Sequence, residues 1–367
     1  MRKYYLDNLR WLMIVVLFPY HVLLIYSSIG SYYFHAANSA IANAFILSFA
    51  PWFMQLLFTI AGIAAYHSLK KRAAAEYLKE RVSKLLLPAL TGVILVIPVS
   101  TYYGSLYNGN TGGFPGFWLD MFSHPLHYLG IGLLVGPLWF LLYLFIVSLA
   151  AFPLIMKYEK GKWRIPIEKI SMPLLLSLII PLAIGSFFLD LYPEKSLVQF
   201  FLLFMFGYFL LSDDGIQQKL EDKRWPLFIL FLALTAIYLA ITVPGFGTTR
   251  SAPGTSTFSL SALPSMFGIK IYENSLLWLG VLSVMGMGKH YLEFKNRMTI
   301  YMSAASFAIY IFHIAWVNLF AYYIIAWMPD MMVLQVILTL ALSFIFTLAT
   351  FEAVKRIKGI RFLFGIK

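Results

Sequence analysis

The chain of 367 residues contains no cysteine. That excludes disulfides, thiol nucleophiles and iron–sulfur ligation by this chain. Charge is nearly as scarce. Asp, Glu, Lys and Arg make up 12% of the residues and apolar types 60%, where soluble domains carry about 25% charge. There is no serine-centred nucleophile motif, no Walker loop and no dinucleotide fingerprint. Heptads, solenoid repeats, inverted repeats and low-complexity tracts are missing too. No hydrophilic stretch is long enough to fold alone. Residues 1–367 are therefore read as a single membrane domain. Arg2 and Lys3 open an apolar run, but that run is longer than a signal peptide's and holds a histidine. No small-x-small cleavage site follows it, so it is read as a retained first span that also directs insertion.

What the sequence does contain is a series of apolar stretches. About 20 apolar residues cross a bilayer. On that rule ten spans are expected, at 9–30, 43–66, 84–104, 132–156, 170–191, 196–212, 226–244, 271–288, 300–327 and 331–354. The expected class is an all-α integral membrane bundle. Sorting the loops by these spans puts 25 basic residues on one side and only Lys195, Arg250 and Lys270 on the other. Such asymmetry is the positive-inside signature and predicts that both termini are cytoplasmic. The net charge of +12 then lies along a membrane rim. It faces anionic lipid headgroups and gives no reason to expect nucleic acid as a partner. No oligomeric state follows from the pattern.

The opposite loops differ in kind. Residues 31–42 and 105–128 contain no Lys or Arg, and 245–269 are rich in Gly, Ser, Thr and Pro. Aromatics beside Asn and Asp in the second loop suit a carbohydrate, whose rings stack on aromatic faces. Anchoring at the membrane interface is the commoner use of such residues. Asp120, His124 and His127 form a weak metal-like cluster, but Pro125 and the loop setting fit poorly with helix-borne zinc motifs. No metal is expected.

Two ionisable residues in the first span stand out, Arg10 and His21. An ionisable group in hydrocarbon is a functional candidate by default. At about 3.6 residues per turn, eleven steps bring both to one helix face, roughly 16 Å apart along the axis. The expected depth is the membrane surface for Arg10 and mid-membrane for His21. Pro19 cannot donate to the Val15 carbonyl and predicts a kink there. Asp7 lies three residues before Arg10, within reach of an ion pair. His21 could accept a proton from an attacking hydroxyl near neutral pH. Arg10 has the fork for a phosphate or carboxylate, or it snorkels to headgroups. In the ninth span Ser306, Tyr310 and His313 share a face, and a polar stripe on an apolar helix is expected to face the bundle interior. Packing through hydrogen bonds is the competing use of that stripe.

These residues carry a resemblance. Leu6-Asp7-Asn8-Leu9-Arg10, followed by His21 eleven residues on, resembles the opening of the membrane acyltransferase family 3. The longer run through Pro19-Tyr20-His21 to Ile25-Tyr26-Ser27-Ser28 is similar to the branch that contains the glucan succinyltransferases of bacterial inner membranes. The resemblance implies a multi-pass protein of a bacterial or archaeal plasma membrane. It implies acyl-CoA as donor substrate with no tightly bound cofactor, and a carbohydrate hydroxyl as acceptor. His21 would then be general base or transient acyl carrier, with Arg10 binding a phosphate or carboxylate of the donor and a Tyr-x-x-His-like element at Tyr310 and His313. Trp139, in a Leu-Trp-Phe-Leu element, would wall a substrate tunnel. Arg81 and Lys84 match an Arg-x-x-Arg element before a proline and would hold the phosphates of the donor, although Lys84 lacks the usual fork. Phe58-Thr59-Ile60-Ala61-Gly62 matches a Phe-x-x-Ser-Gly element, with Ala61 in place of the hydroxyl. A saccharide transporter or flippase is the alternative, since a kinked helix with a buried Arg and His also suits transport.

Overall fold

The computed structural model describes residues 3–29, 33–162, 164–192, 195–244 and 263–366. Most of the Gly- and Ser-rich segment expected at 245–269 thus lies outside the described residues. The helices are α1 (Tyr4–Leu24), α2 (Ala40–Leu69), α3 (Ala74–Tyr107), α4 (Phe114–Ser123), α5 (Pro125–Gly130) and α6 (Gly136–Lys160). They continue with α7 (Met172–Gly185), α8 (Leu197–Leu211), α9 (Asp214–Asp222), α10 (Arg224–Thr242), α11 (Leu263–Tyr291), α12 (Arg297–Trp327), α13 (Met332–Val354) and α14 (Lys358–Leu363). Strands β1 (Asp190–Tyr192) and β2 (Lys195–Ser196) form a small antiparallel hairpin.

Among the described residues, seven helices are long and apolar enough to cross a membrane: α1, α2, α3, α6, α10, α12 and α13. Helices α8 and α9, bent by 96°, make an eighth if they are one span. The protein is an all-α membrane protein, and each of the ten apolar windows contains a helix. Helix α7 is shorter, and α11 is diluted by Glu273, Asn274 and its glycines.

Two boundaries need correction. The first helix runs over Tyr4–Leu24 rather than 9–30. Its polar start is held by distant groups, since the Glu293 carboxylate accepts the N–H groups of Tyr4 and Tyr5 at 2.9 and 3.2 Å. The Asn8 amide donates to the carbonyls of Leu292 and Phe294. His21 consequently sits in the last turn of α1, and the helix continues through Pro19. The fifth window, 170–191, is helical only to Gly185. There the Ser196 hydroxyl lies 2.7 Å from the carbonyls of Gly185 and Phe188 and accepts the Gln199 N–H. One side chain therefore ends α7 and caps α8, satisfying groups that a helix end leaves orphaned.

The chain forms two compact units. The first comprises Met1–Leu9, Leu47–Lys79 and Tyr143–Phe294. Its centre is a close crossing of α2 and α8, where a methyl group added at Gly62 would come within 2.0 Å of the Phe204 carbonyl oxygen. One added at Gly207 would come within 2.1 Å of that of Thr59. The buried Trp278 indole of α11 donates to the Leu175 carbonyl of α7 at 2.8 Å. At the basic end Lys3 pairs with Asp214, and Glu221 meets Lys289 and His290. Burial pushes the Glu221 carboxyl up, but those two bases outweigh it and hold it below its usual value.

The second unit comprises Arg10–Ile46, Glu80–Leu142 and Lys295–Lys367. Helix α12 starts with a capping box between Asn296 and Thr299. Small residues let neighbours approach α3: Gly92 faces Leu138 and Ile311, and Gly104 faces Tyr33. Pro98 in α3 has no N–H to give the Ile94 carbonyl four residues back. The Trp118 indole of α4 takes that carbonyl at 3.1 Å. The segment expected as an outer loop, 105–128, thus contains an anchored helix, α4, and most of a second, α5.

Candidate active site

Helices α1 and α12 bring the two candidate histidines together. Nε2 of His313 lies 3.3 Å from Nδ1 of His21, with ring centroids 5.0 Å apart. Each Nδ1 also faces a carbonyl of its own helix: Leu17 at 2.9 Å for His21 and Tyr310 at 2.8 Å for His313. A carbonyl can only accept, so both Nδ1 atoms carry the proton and both Nε2 atoms carry a lone pair. His313 is fully buried, whereas His21 keeps accessible surface. The partly accessible His21 imidazole therefore has its basic nitrogen, Nε2, uncommitted by either of these contacts.

The surroundings fix this arrangement. Phe18 meets the His313 ring edge-on at 5.8 Å and packs on Phe344 of α13. The Tyr310 hydroxyl donates to the Pro137 carbonyl. That carbonyl belongs to the tight turn Gly136–Leu138 that opens α6. Gly136 has φ +49° and would put a Cβ 2.5 Å from the Tyr33 hydroxyl, so glycine is required there twice over. Trp139 follows this turn and is buried, with Phe140 edge-on to Tyr310. Tyr310 and the two histidines thus belong to one constellation, and Trp139 follows the turn against which Tyr310 is held.

Other candidates fall elsewhere. Ser306 is buried, but its hydroxyl turns back to the Ser303 carbonyl at 3.0 Å. Arg10 is half-buried on the α1 face that carries His21, while Asp7 belongs to the first unit. Arg81 precedes a widened turn of α3, Val82–Leu86, and Lys84 lies within it. Pro88 cannot donate to the Lys84 carbonyl, and the ladder slips so that the Leu87 N–H reaches Val82, five residues back. Lys84 pairs with Glu80 across one turn. Asp120 accepts the Tyr128 hydroxyl at 2.7 Å and meets His124 at 3.0 Å. That hydroxyl holds the Asp120 carboxyl below its usual value. Burial, helped by Asp120, pushes Tyr128 up to about 12. No group of three metal-ligating side chains occurs among the described residues.

Two buried amides went unnoticed in the sequence. Asn318 donates to the Ser100 hydroxyl at 2.7 Å, tying α12 to α3. Gln335 accepts the Tyr26 hydroxyl at 2.9 Å, tying α13 to the turn after α1. Amides in apolar helices are the available signal for such ties. Ser27, Ser28 and Asn43 interlock in the same region, with Ser27 donating to Asn43 and Asn43 to Ser28, both at 2.8 Å. The Ser-Ser pair of the sequence pattern therefore joins α1 to α2.

Fold and site together define a multi-pass α-helical membrane protein with a histidine pair in its spanning helices. The sequence profile of the membrane acyltransferase family 3, described as an acyltransferase domain, matches residues 3–352, and the chain belongs to this family. Curated relatives include glucans biosynthesis protein C of Escherichia coli, 31% identical over 152 residues. The protein of the same name from Shigella dysenteriae serotype 1 is 30% identical over 152 residues. These matches cover 40% of this chain and span 37% of the relatives' length. No solved structure matches.

Proposed function

We propose that the protein is a membrane O-acyltransferase that moves an acyl group from cytoplasmic acyl-CoA to a hydroxyl of an extracytoplasmic glycan, in the plasma membrane of a bacterium or archaeon. A succinyl or acetyl group fits the family, and a glucan acceptor fits the name of the curated relatives. The observation that carries this reading is the uncommitted Nε2 of the accessible His21, whose Nδ1 proton is fixed by the Leu17 carbonyl. In the transfer, Nε2 takes the acceptor hydroxyl proton as that oxygen attacks the thioester carbonyl. The carbon–sulfur bond breaks, and the thiolate leaves with the proton returned from His21. A two-step route through acyl-His21 uses the same nitrogen as nucleophile. Arg10 would orient the donor, and Arg81 with Lys84 would hold its phosphates at the cytoplasmic rim.

The test uses purified protein in vesicles with succinyl-CoA or acetyl-CoA and glucan oligosaccharides. The expected result is an acceptor heavier by one acyl group, with free CoA released in equal amount. An acceptor of unchanged mass that crosses the vesicle wall would establish transport instead.

A further inference from the structure

We propose that His313 is a positioning residue for His21. It fixes the orientation of the reacting imidazole and takes a share of the positive charge when His21 is protonated. The inference rests on the acyl-transfer reading of His21. It starts from three distances: Leu17 O to His21 Nδ1 at 2.9 Å, Tyr310 O to His313 Nδ1 at 2.8 Å, and His313 Nε2 to His21 Nδ1 at 3.3 Å. The proton on His21 Nδ1 is shared between a near carbonyl and a slightly farther lone pair. While His21 is neutral the carbonyl has the better geometry. Once Nε2 takes the substrate proton, the ring is cationic and its Nδ1–H is a stronger donor. The contact to His313 then becomes charge-assisted, which shortens and strengthens such bonds. An interaction that grows only as charge develops lowers the barrier rather than tightening substrate binding.

The surroundings suit this role. His313 is 0% exposed, so it cannot meet a substrate and acts only through His21. Its own Nδ1 proton is held by Tyr310, whose hydroxyl is held in turn by Pro137. A histidine kept only for packing would not need its lone pair aimed at another imidazole.

Two variants of the full chain separate the roles. His313→Gln keeps a polar acceptor near the position of Nε2, and His313→Leu fills the site with hydrocarbon. Both are measured with succinyl-CoA and a glucan oligosaccharide, after thermal unfolding in detergent shows that they fold. Reaction of His21 with diethyl pyrocarbonate, read by mass spectrometry, reports its nucleophilicity without any transfer reaction. In His313→Leu, kcat should fall about 10- to 100-fold, as loss of a hydrogen bond to a charged group predicts, with KM unchanged. His21 modification should slow in parallel, and His313→Gln should restore much of both. Equal loss in the two variants, or no loss in His313→Leu, overturns the proposal. If the parent transfers no acyl group, the function reading fails, and the modification rates alone still decide whether His313 acts on His21.

Discussion

An imidazole inside a membrane helix has two nitrogens to satisfy, and His21 satisfies one of them through its own backbone at Leu17. Truncation separates the chemical role from the structural one. His21→Ala deletes the base and leaves only a small cavity, so at matched expression the loss of transfer should far exceed the loss of stability read from the melting temperature. General-base catalysis is worth about 10²- to 10⁴-fold, roughly 3–5 kcal/mol of barrier. Parental transfer rates in a correctly inserted His21→Ala protein would remove His21 from the mechanism. Both histidines were legible in the sequence because a polar group is conspicuous in an apolar run. Their pairing was not. They lie 292 residues apart, and nothing in local periodicity specifies which helices meet. Ser306 shows the converse, since sharing a helix face with His313 did not stop its hydroxyl from bonding within its own helix.

Helices are brought together here by what their residues omit as much as by what they present. At the α2–α8 crossing, backbone oxygens occupy the places where side chains of residues 62 and 207 would stand. Gly62→Ala or Gly207→Ala should lower stability in detergent by about 1–3 kcal/mol, as overpacking does. Gly116→Ala, with nothing within 4 Å of the added methyl, is the control expected to melt with the parent. Equal melting of all three would refute the close crossing. The glycine in Phe58-Thr59-Ile60-Ala61-Gly62 was visible in the sequence, but its reason is contact with another helix. The start of α1 and the end of α7 escaped the sequence for a similar cause, because Glu293 and Ser196 cap them from outside their own residues. On α3 the proline slip places Lys84 within a widened turn and Arg81 just before it, with Lys84 engaged by Glu80. Replacing both cations with Gln should raise KM for acyl-CoA more than it lowers kcat, the mark of lost uniform binding. Unchanged donor saturation would leave them as topology signals.

Over the whole chain, the expected ten spans sort 25 of the 28 basic residues into one set of loops, and the proposed chemistry uses that sorting. The proposed reading sets a donor made in the cytoplasm against the basic loops, with the acceptor beyond the membrane. The helices found in all ten apolar windows are compatible with an even number of crossings. Length and apolarity by themselves support seven or eight, because α7 is short and α11 is diluted by polar residues. Charge sorting is the argument for ten, since removing one crossing would scatter the basic loops over both faces, against the positive-inside rule. Ten crossings with cytoplasmic termini would place the loop after α2 inside and the segment before α4 outside. Reporter fusions after Lys71 and after Gly113 should therefore give opposite signals, and a fusion after Lys358 should match the one at Lys71. The charges at Lys70, Lys71 and Arg72 favour retention of that loop. Neutralising all three should weaken the inside signal of the first fusion without reversing that of the tail, where Lys355, Arg356 and Lys358 remain. If the fusions at Lys71 and Gly113 report the same side, the ten-crossing arrangement cannot hold. The basic rim would then no longer face the proposed donor, and transfer across the membrane through His21 would lose its geometry.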